Sequence, residues 1–254
     1  LGDVYKRQLR YYQKALEIFE PRDDWEWLAR IYAERGRAYW LMEQYPRARE
    51  DLERALSMKV YLNKPMVLHY LGHVYESCGD IDKAEQHFQE SYEISKMAPD
   101  AYFELNSLSD LIRLAVRKGQ YHLLGQFENA YREYCEERRL GEFSPRYDGL
   151  LLKYLGDLSL GATPEDISRA IDYYRRSLHL VAGYETYQPF GIEVQLQCMD
   201  ELLNRLPVPP KEVARLGKDL LAAWKESGLD REHPEALPFF LRWKRQGEVN
   251  RVQH

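Results

Sequence analysis

Two histidines and a glutamate stand at spacings that could hold a metal ion. His69, His73 and Glu76 lie at positions i, i+4 and i+7, so a helix would carry all three on one face. Histidines four residues apart can share one metal ion. The segment HYLGH lacks the glutamate that makes HExxH a hydrolytic motif, and no further ligand is obvious beside it. We therefore expect these histidines to line a helix face without a metal.

Other catalytic patterns do not stand out in the sequence. There is no Ser/His/Asp or Cys/His arrangement, and no glycine-rich loop precedes a predicted helix. The three cysteines, Cys78, Cys135 and Cys198, are scattered and have no CxxC spacing. Such a set is typical of reduced thiols in a cytoplasmic protein. The sequence thus predicts a cytoplasmic protein that is not an enzyme and has no cofactor.

Composition and hydropathy argue against nucleic-acid binding and membrane insertion. The 254 residues carry a formal net charge of -5, whereas nucleic-acid modules usually carry a basic excess. Uncharged stretches are far shorter than the roughly 18 to 20 apolar residues that a spanning helix requires. We expect neither nucleic-acid binding nor membrane insertion.

The histidines belong to a predicted hairpin of two amphipathic helices. Small and apolar residues of the first helix share one face: Leu68, Leu71, Gly72 and Tyr75. A second face follows along the chain: Ala84, Phe88 and Ser91. Between them, Gly79 can take the left-handed conformation that ends a helix, and Asp80 can accept from the first amides of the next helix. The small residues Gly72 and Ala84 would let the two helices approach closely.

The same hairpin recurs along the chain. Five residues stand 36 positions earlier in the same order: Gly36, Tyr39, Ala48, Leu52 and Ala55. A third unit begins near Asp100, where Ile112 replaces the small residue and Gly119 marks the turn. A fourth restores the signature with Gly156 on its first helix and Ala170 on its second. These intervals indicate a helical repeat array.

From Leu9 to about Ala182 this pattern resembles a bacterial tetratricopeptide repeat (TPR) protein. The resemblance implies an all-α fold, an α-solenoid of antiparallel helix pairs wound as a right-handed superhelix. We expect the array to span residues 9–205 and a C-terminal helical cap to span residues 206–254. Residues 1–8, LGDVYKRQ, resemble the translation of a transposon-end sequencing adapter, so we expect a non-native segment on a fragment that lacks its upstream part.

In proteins of this family the first helix of each pair lines a concave groove for a peptide or partner protein. Carried over by register, that implies the following groove residues: Arg30, Arg37, Trp40, His69, His73, Glu76, Asn106, Arg113, Arg117, Lys153 and Asp157. The mixture of cations with one tryptophan resembles a site for an acidic or amphipathic segment. Ala33 and Arg37 stand where chaperone-binding members carry a lysine and an asparagine, so that specificity is not expected.

Two other hypotheses remain open from the sequence. TPR arrays often follow a nucleotide-binding domain, so the chain could be the C-terminal sensor of a larger signalling NTPase or transcription regulator. An upstream GxxxxGK[ST] loop would favour that alternative. A metal-dependent enzyme built around His69 and His73 is the third hypothesis, and it requires stoichiometric metal in the purified protein.

Overall fold

The fold is known from a computed structural model, which describes residues 2–58, 64–97, 101–137, 145–163, 166–182, 192–206 and 208–246. Every regular element within those ranges is a helix, as the sequence predicts. The α-helices are α1 (Gly2–Phe19), α2 (Trp25–Leu41), α3 (Tyr45–Ser57), α4 (Lys64–Ser77), α5 (Ile81–Met97), α6 (Ala101–Lys118), α7 (Leu124–Glu137), α8 (Pro145–Ala162), α9 (Ile167–Ala182), α10 (Ile192–Arg205), α11 (Pro210–Glu226), α12 (Leu229–Glu232) and α13 (Leu237–Arg245).

The chain forms two compact units, Leu1–Leu111 and Ile112–His254. In the first unit α2 packs on α3, α4 packs on α5, and α1 packs on α2. Helix α1 begins at Gly2, so the segment that resembles an adapter is helical, and its origin stays a prediction. The boundaries of the repeat array and of the cap also stay predictions, and residues 247–254 of that cap lie outside the described residues.

Glycine lets the helices of each pair in the first unit approach closely. A Cβ atom at Gly72 would lie 2.5 Å from the ring of Phe88, and one at Gly36 would lie 2.7 Å from Leu52. Real Cβ atoms do not come that close to a neighbour, so the small residue is a steric requirement of each pair. The predicted close approach of α4 and α5 is confirmed at Gly72.

The turn between α4 and α5 also has the predicted form. Gly79 has a φ of +84°, in the left-handed region that favours glycine. The Asp80 carboxylate accepts from the backbone N–H of Lys83 at 3.3 Å, which satisfies one amide at the start of α5. Helix α4 therefore ends at Ser77 and α5 begins at Ile81 for local reasons that the sequence contains.

The second unit repeats the pairing in α8 and α9. A Cβ atom at Gly156 would lie 2.6 Å from the ring of Tyr174. The Ser177 hydroxyl donates to the Gly149 carbonyl at 2.6 Å, as the Ser91 hydroxyl of the first unit donates to the Pro65 carbonyl at 2.8 Å. The two pairs thus share both a glycine contact and a buried serine bond between helices.

The end of the second unit is a different helix pair, formed by α11 and α13. Gly217 lies against the backbone of α13, where an added Cβ atom would be 2.5 Å from the Lys244 nitrogen. The rings of Trp224, Phe240 and Trp243 are buried together beside this contact. Helix α11 also packs on α9. The sense of the predicted superhelix stays a prediction.

Candidate partner-binding face

The first helices α2 and α4 meet at a stacked pair of rings. The indole of Trp40 lies over the imidazole of His73, with ring centroids 4.8 Å apart and planes 18° apart. The indole Nε1–H donates to the Ser77 hydroxyl at 3.0 Å. Trp40 is half-buried, so part of its ring remains accessible on the protein surface.

An arginine and three aromatic rings extend this surface from α2 to the start of α6. The guanidinium of Arg37 lies 5.9 Å from the centroid of the Tyr70 ring, within the range of a cation–π contact. Tyr70 packs edge-on to Phe103, and Phe103 packs edge-on to Tyr102 at 4.9 Å. Arg37 keeps 44% of its side chain exposed, and Tyr102 is 37% exposed. We call the surface formed by Arg37, Trp40, Tyr70, His73 and Tyr102 the aromatic face.

A histidine and carboxylate cluster lies beneath the aromatic face. His69 Nε2 and His73 Nε2 lie 2.9 Å and 3.3 Å from the same Asp110 oxygen, Oδ2. The two imidazole rings meet edge-to-face, with centroids 4.6 Å apart. On the other side of His73, a Glu76 carboxylate oxygen lies 3.9 Å from Nδ1. The structure therefore brings together the three residues that the sequence singled out and adds Asp110 from α6.

Other predicted groove residues of the first unit lie in different surroundings. Arg30 is exposed and lies 5.9 Å from the Trp27 ring. Asn106 is only 6% exposed, and its amide donates to the Tyr102 carbonyl of its own helix at 2.8 Å. Because that bond uses one amide N–H and the side chain is buried, Asn106 supports α6 instead of presenting its amide to a partner.

The predicted groove residues of the second unit divide into two kinds. Arg113 is half-buried and Arg117 is exposed on α6. Lys153 and Asp157 are 5% and 3% exposed, and the ammonium donates to the carboxylate at 2.6 Å. The Tyr174 hydroxyl donates to the other carboxylate oxygen at 2.9 Å. This correction follows from the burial: Lys153 and Asp157 hold α8 against α9 and are not accessible to a partner.

Burial and pairing act in opposite directions on the Lys153 ammonium. Removal from water disfavours its charge, but the Asp157 carboxylate, together with smaller contributions from neighbouring groups, outweighs that penalty, so the pKa of Lys153 is raised. The lysine is therefore charged at neutral pH although it is buried. A charged pair of this kind is stable only while both partners remain.

Sequence reasoning missed the residues that α6 contributes. Asp110 stands 41 residues from His69, and Tyr102 stands outside the positions that the family register assigns to the groove. A helical wheel of α6 alone gives no reason to connect either residue to α4. A rule that pairs carboxylates with histidines on successive first helices could have found Asp110.

Comparison with known proteins agrees with the geometry of the helix pairs. Two models described as tetratricopeptide repeat match residues 4–59 and residues 67–96. A search of curated proteins finds no match. Eight chains of solved structures match. One is the crystal structure of BtubC (BKLC) from P. vanneervenii, at 14% sequence identity and a TM-score of 0.58, over 99% of this chain and 91% of that one.

These findings identify the fold and its repeat units. At 14% identity the likeness to BtubC concerns the fold alone. Within the described residues, no helix combines the length and apolar character needed to cross a membrane. Residues 4–59 and 67–96 are tetratricopeptide repeats.

Proposed function

We propose that this chain binds a peptide segment or a partner protein on the aromatic face of its first unit. Tetratricopeptide repeats are in general protein-interaction modules. The observation that supports this particular face is the continuous contact from Arg37 and Trp40 on α2, through Tyr70 and His73 on α4, to α6. Three successive first helices therefore present one surface.

The chemistry of the face favours an acidic or amphipathic segment. The accessible part of Trp40 offers a flat apolar anchor whose edge is already fixed by Ser77. Arg37 offers a planar guanidinium to a carboxylate, and its contact with Glu34 at 3.3 Å is an exposed ion pair. An exposed pair of this kind contributes little, so a partner carboxylate can compete with it.

Pre-organisation supports the same surface as a binding site. The indole of Trp40 is held by a stack on one side and by a hydrogen bond at its nitrogen. Such a side chain loses little rotamer freedom when a partner covers it. We infer a binding role without catalysis, in which a segment lies across α2 and α4 with an apolar residue over Trp40 and a carboxylate near Arg37.

Affinity capture with a paired variant tests the proposal. The whole chain is the bait in a lysate of the source organism, beside the double variant Arg37→Glu/Trp40→Ala. We expect a captured protein that the double variant loses, because it removes the anchor and reverses the charge. Circular dichroism checks that the variant keeps its helix content.

The control changes the same kinds of side chain away from the face. Tyr11 on α1 and Arg49 on α3 are an exposed aromatic residue and an exposed cation. Tyr11→Ala/Arg49→Glu should capture the same protein as the natural sequence. Equal capture by the Arg37/Trp40 variant would contradict the assignment of the face, and loss in both variants would show that capture depends on charge in general.

A further inference from the structure

Three donor atoms converge beneath the aromatic face. His69 Nε2, His73 Nε2 and an Asp110 carboxylate oxygen all lie within 4.8 Å of one another. Two of the three separations are 2.9 Å and 3.3 Å. Ligand atoms around a tetrahedral zinc ion lie about 3.3 to 3.5 Å apart, given bonds of about 2.0 to 2.2 Å. The remaining pair needs to close by no more than about 1.5 Å to reach that spacing.

The helices hold these donors in place before any ion binds. His69 and His73 stand one turn apart on α4, so their rings project from the same face. The His73 ring lies between the Trp40 indole on one face and the edges of His69 and Phe88. Asp110 is 9% exposed on α6. Donors on packed helices keep their geometry better than donors on loops.

A carboxylate lies near each ring nitrogen of His73. A ligating histidine presents one nitrogen to the metal and directs its other N–H to a carboxylate or carbonyl. Nε2 of His73 faces Asp110, and Nδ1 faces the Glu76 carboxylate at 3.9 Å. The Glu76 carboxylate would need to approach by about 1 Å to accept a hydrogen bond from Nδ1.

The donor types suit a divalent cation at this point. Imidazole nitrogen and carboxylate oxygen are both ligands that zinc takes. His69 is 7% exposed, and its Nδ1 has no hydrogen-bond partner among the described residues. Coordination through Nε2 would place the ring N–H of His69 at Nδ1.

We propose that His69, His73 and Asp110 bind one zinc ion or a similar divalent first-row metal. Two imidazoles and one carboxylate are a donor set that zinc uses with an open fourth position. The ion would join α4 to α6 through side chains that stand 41 residues apart. The proposal goes beyond partner binding and does not rest on it, because metal binding is measured on the chain alone.

Equilibrium dialysis against zinc chloride, with elemental analysis of the protein, tests this site. The whole chain is first stripped with a chelator. We expect stoichiometric zinc at neutral pH and at least about tenfold weaker binding in each of His73→Gln and Asp110→Asn. A natural chain that binds no more zinc than the double variant His73→Gln/Asp110→Asn would overturn the proposal.

Two control variants separate this cluster from other zinc donors. His87 lies on α5 and stacks on Tyr75, and Cys78 is an exposed thiol at the end of α4. His87→Gln and Cys78→Ser should bind zinc as tightly as the natural chain. Loss of stoichiometric binding in either variant, with retention in Asp110→Asn, would assign the metal elsewhere.

A measurement on the natural chain covers the case in which a variant does not fold. Long-range 1H–15N correlation spectra report which nitrogen of each imidazole is coordinated. Zinc should shift the Nε2 resonances of two histidines, and assignment through His73→Gln identifies one of them. Spectra that do not change with stoichiometric zinc refute the site without any variant. Zinc binding with unchanged partner capture in Arg37→Glu/Trp40→Ala would support the metal site and contradict the proposed face.

Discussion

Two helix pairs of this chain place polar residues at equivalent positions and use them differently. In α4, His69 stands three residues before the interface glycine and His73 one residue after it. In α8, Lys153 and Asp157 stand at those same two positions. The lysine and aspartate are buried and bonded to each other. The histidines instead meet a carboxylate from another first helix.

The ring opposite the glycine accounts for part of this difference. Gly156 faces Tyr174, whose hydroxyl donates to Asp157 at 2.9 Å. Gly72 faces Phe88, which has no hydroxyl and offers His73 only the edge of a ring. The polar residues of the α8/α9 pair are therefore satisfied within the pair. Those of the α4/α5 pair meet the Asp110 carboxylate of α6.

The comparison teaches how one repeat can be structural and another available for binding. A polar pair that is satisfied internally stabilises its helices and presents nothing to a ligand. A polar pair that meets a carboxylate from a third helix brings together donor atoms that an ion could share. The same register position thus has two roles, which depend on the residue that faces it.

Removal of the lysine from the buried pair should have the largest effect. Lys153→Met leaves the Asp157 carboxyl buried without its ammonium partner, so we expect a loss of about 3 to 5 kcal/mol in the free energy of unfolding. Denaturant titration measures it. His69→Gln should cost about 1 to 3 kcal/mol, because it removes one buried hydrogen bond.

A double variant distinguishes charge from packing. Lys153→Met/Asp157→Leu removes both charges and should recover most of the loss. If Lys153→Met lowers the free energy of unfolding no more than His69→Gln does, the two clusters do not differ in stability and the contrast drawn above is wrong.

Loss of the tyrosine hydroxyl should have the next largest effect. Tyr174→Phe gives the α8/α9 pair the ring that α5 already has and leaves one Asp157 oxygen without its donor. We expect a loss of about 1 to 3 kcal/mol by denaturant titration. Tyr173→Phe is the matched control, because Tyr173 is only partly buried and donates to Glu128 at 3.0 Å. The free energy of unfolding of Tyr173→Phe should fall by less than about 1 kcal/mol, since water can replace that bond.

Replacing either interface glycine by alanine should lower the free energy of unfolding less than Tyr174→Phe does. The effect should be similar in the two helix pairs. The Cβ distances are 2.5 Å at Gly72 and 2.6 Å at Gly156, so each helix pair must separate. Overpacking costs about 1 to 3 kcal/mol, and the better helix propensity of alanine returns about 1 kcal/mol of it. We expect a net loss of up to about 2 kcal/mol in the free energy of unfolding for each of Gly72→Ala and Gly156→Ala.

The control for the glycine variants is Gly125 on α7, where nothing lies within 4 Å of an added Cβ atom. Gly125→Ala should be neutral or stabilise by up to about 1 kcal/mol. A loss at Gly72 without one at Gly156 would show that the two interfaces are not equivalent.

Local pattern explains what the sequence could predict. Helix spacing, the turn at Gly79 and the contact of Gly72 with the next helix all depend on residues within one hairpin. A repeat offset of 36 residues makes the first two pairs predictable from each other. The family register also placed Trp40 and His73 on one surface, where they stack.

Long-range packing explains what the sequence could not predict. The register treats Lys153 as the equivalent of His69, yet burial against α9 makes it structural. Asp110 joins the histidines only because α6 lies against α4 at that point. Neither fact depends on spacing within a helix. Both depend on which side chains the neighbouring helices supply.

The smallest predicted effect concerns pH and separates the two pairs once more. His87 and Tyr173 each stand one residue before the ring that faces the glycine. Burial lowers the pKa of His87. Burial and the nearby Glu128 raise the pKa of Tyr173. In the unfolded chain these groups titrate near about 6.5 and 10.

The sign of each contribution follows from which state holds the proton more tightly. Unfolded His87 binds its proton more tightly than folded His87. The stability that His87 contributes to the folded state is therefore present above about pH 6.5 and is lost as pH falls. Folded Tyr173 binds its proton more tightly, so its contribution is present below about pH 10 and is lost as pH rises. Between pH 8 and pH 5, Tm should therefore fall less in His87→Gln than in the natural chain, and Tyr173→Phe should leave that acid dependence unchanged. Thermal melts at matched ionic strength measure both effects. If Tm depends on acid pH in His87→Gln as it does in the natural chain, His87 is not the group responsible.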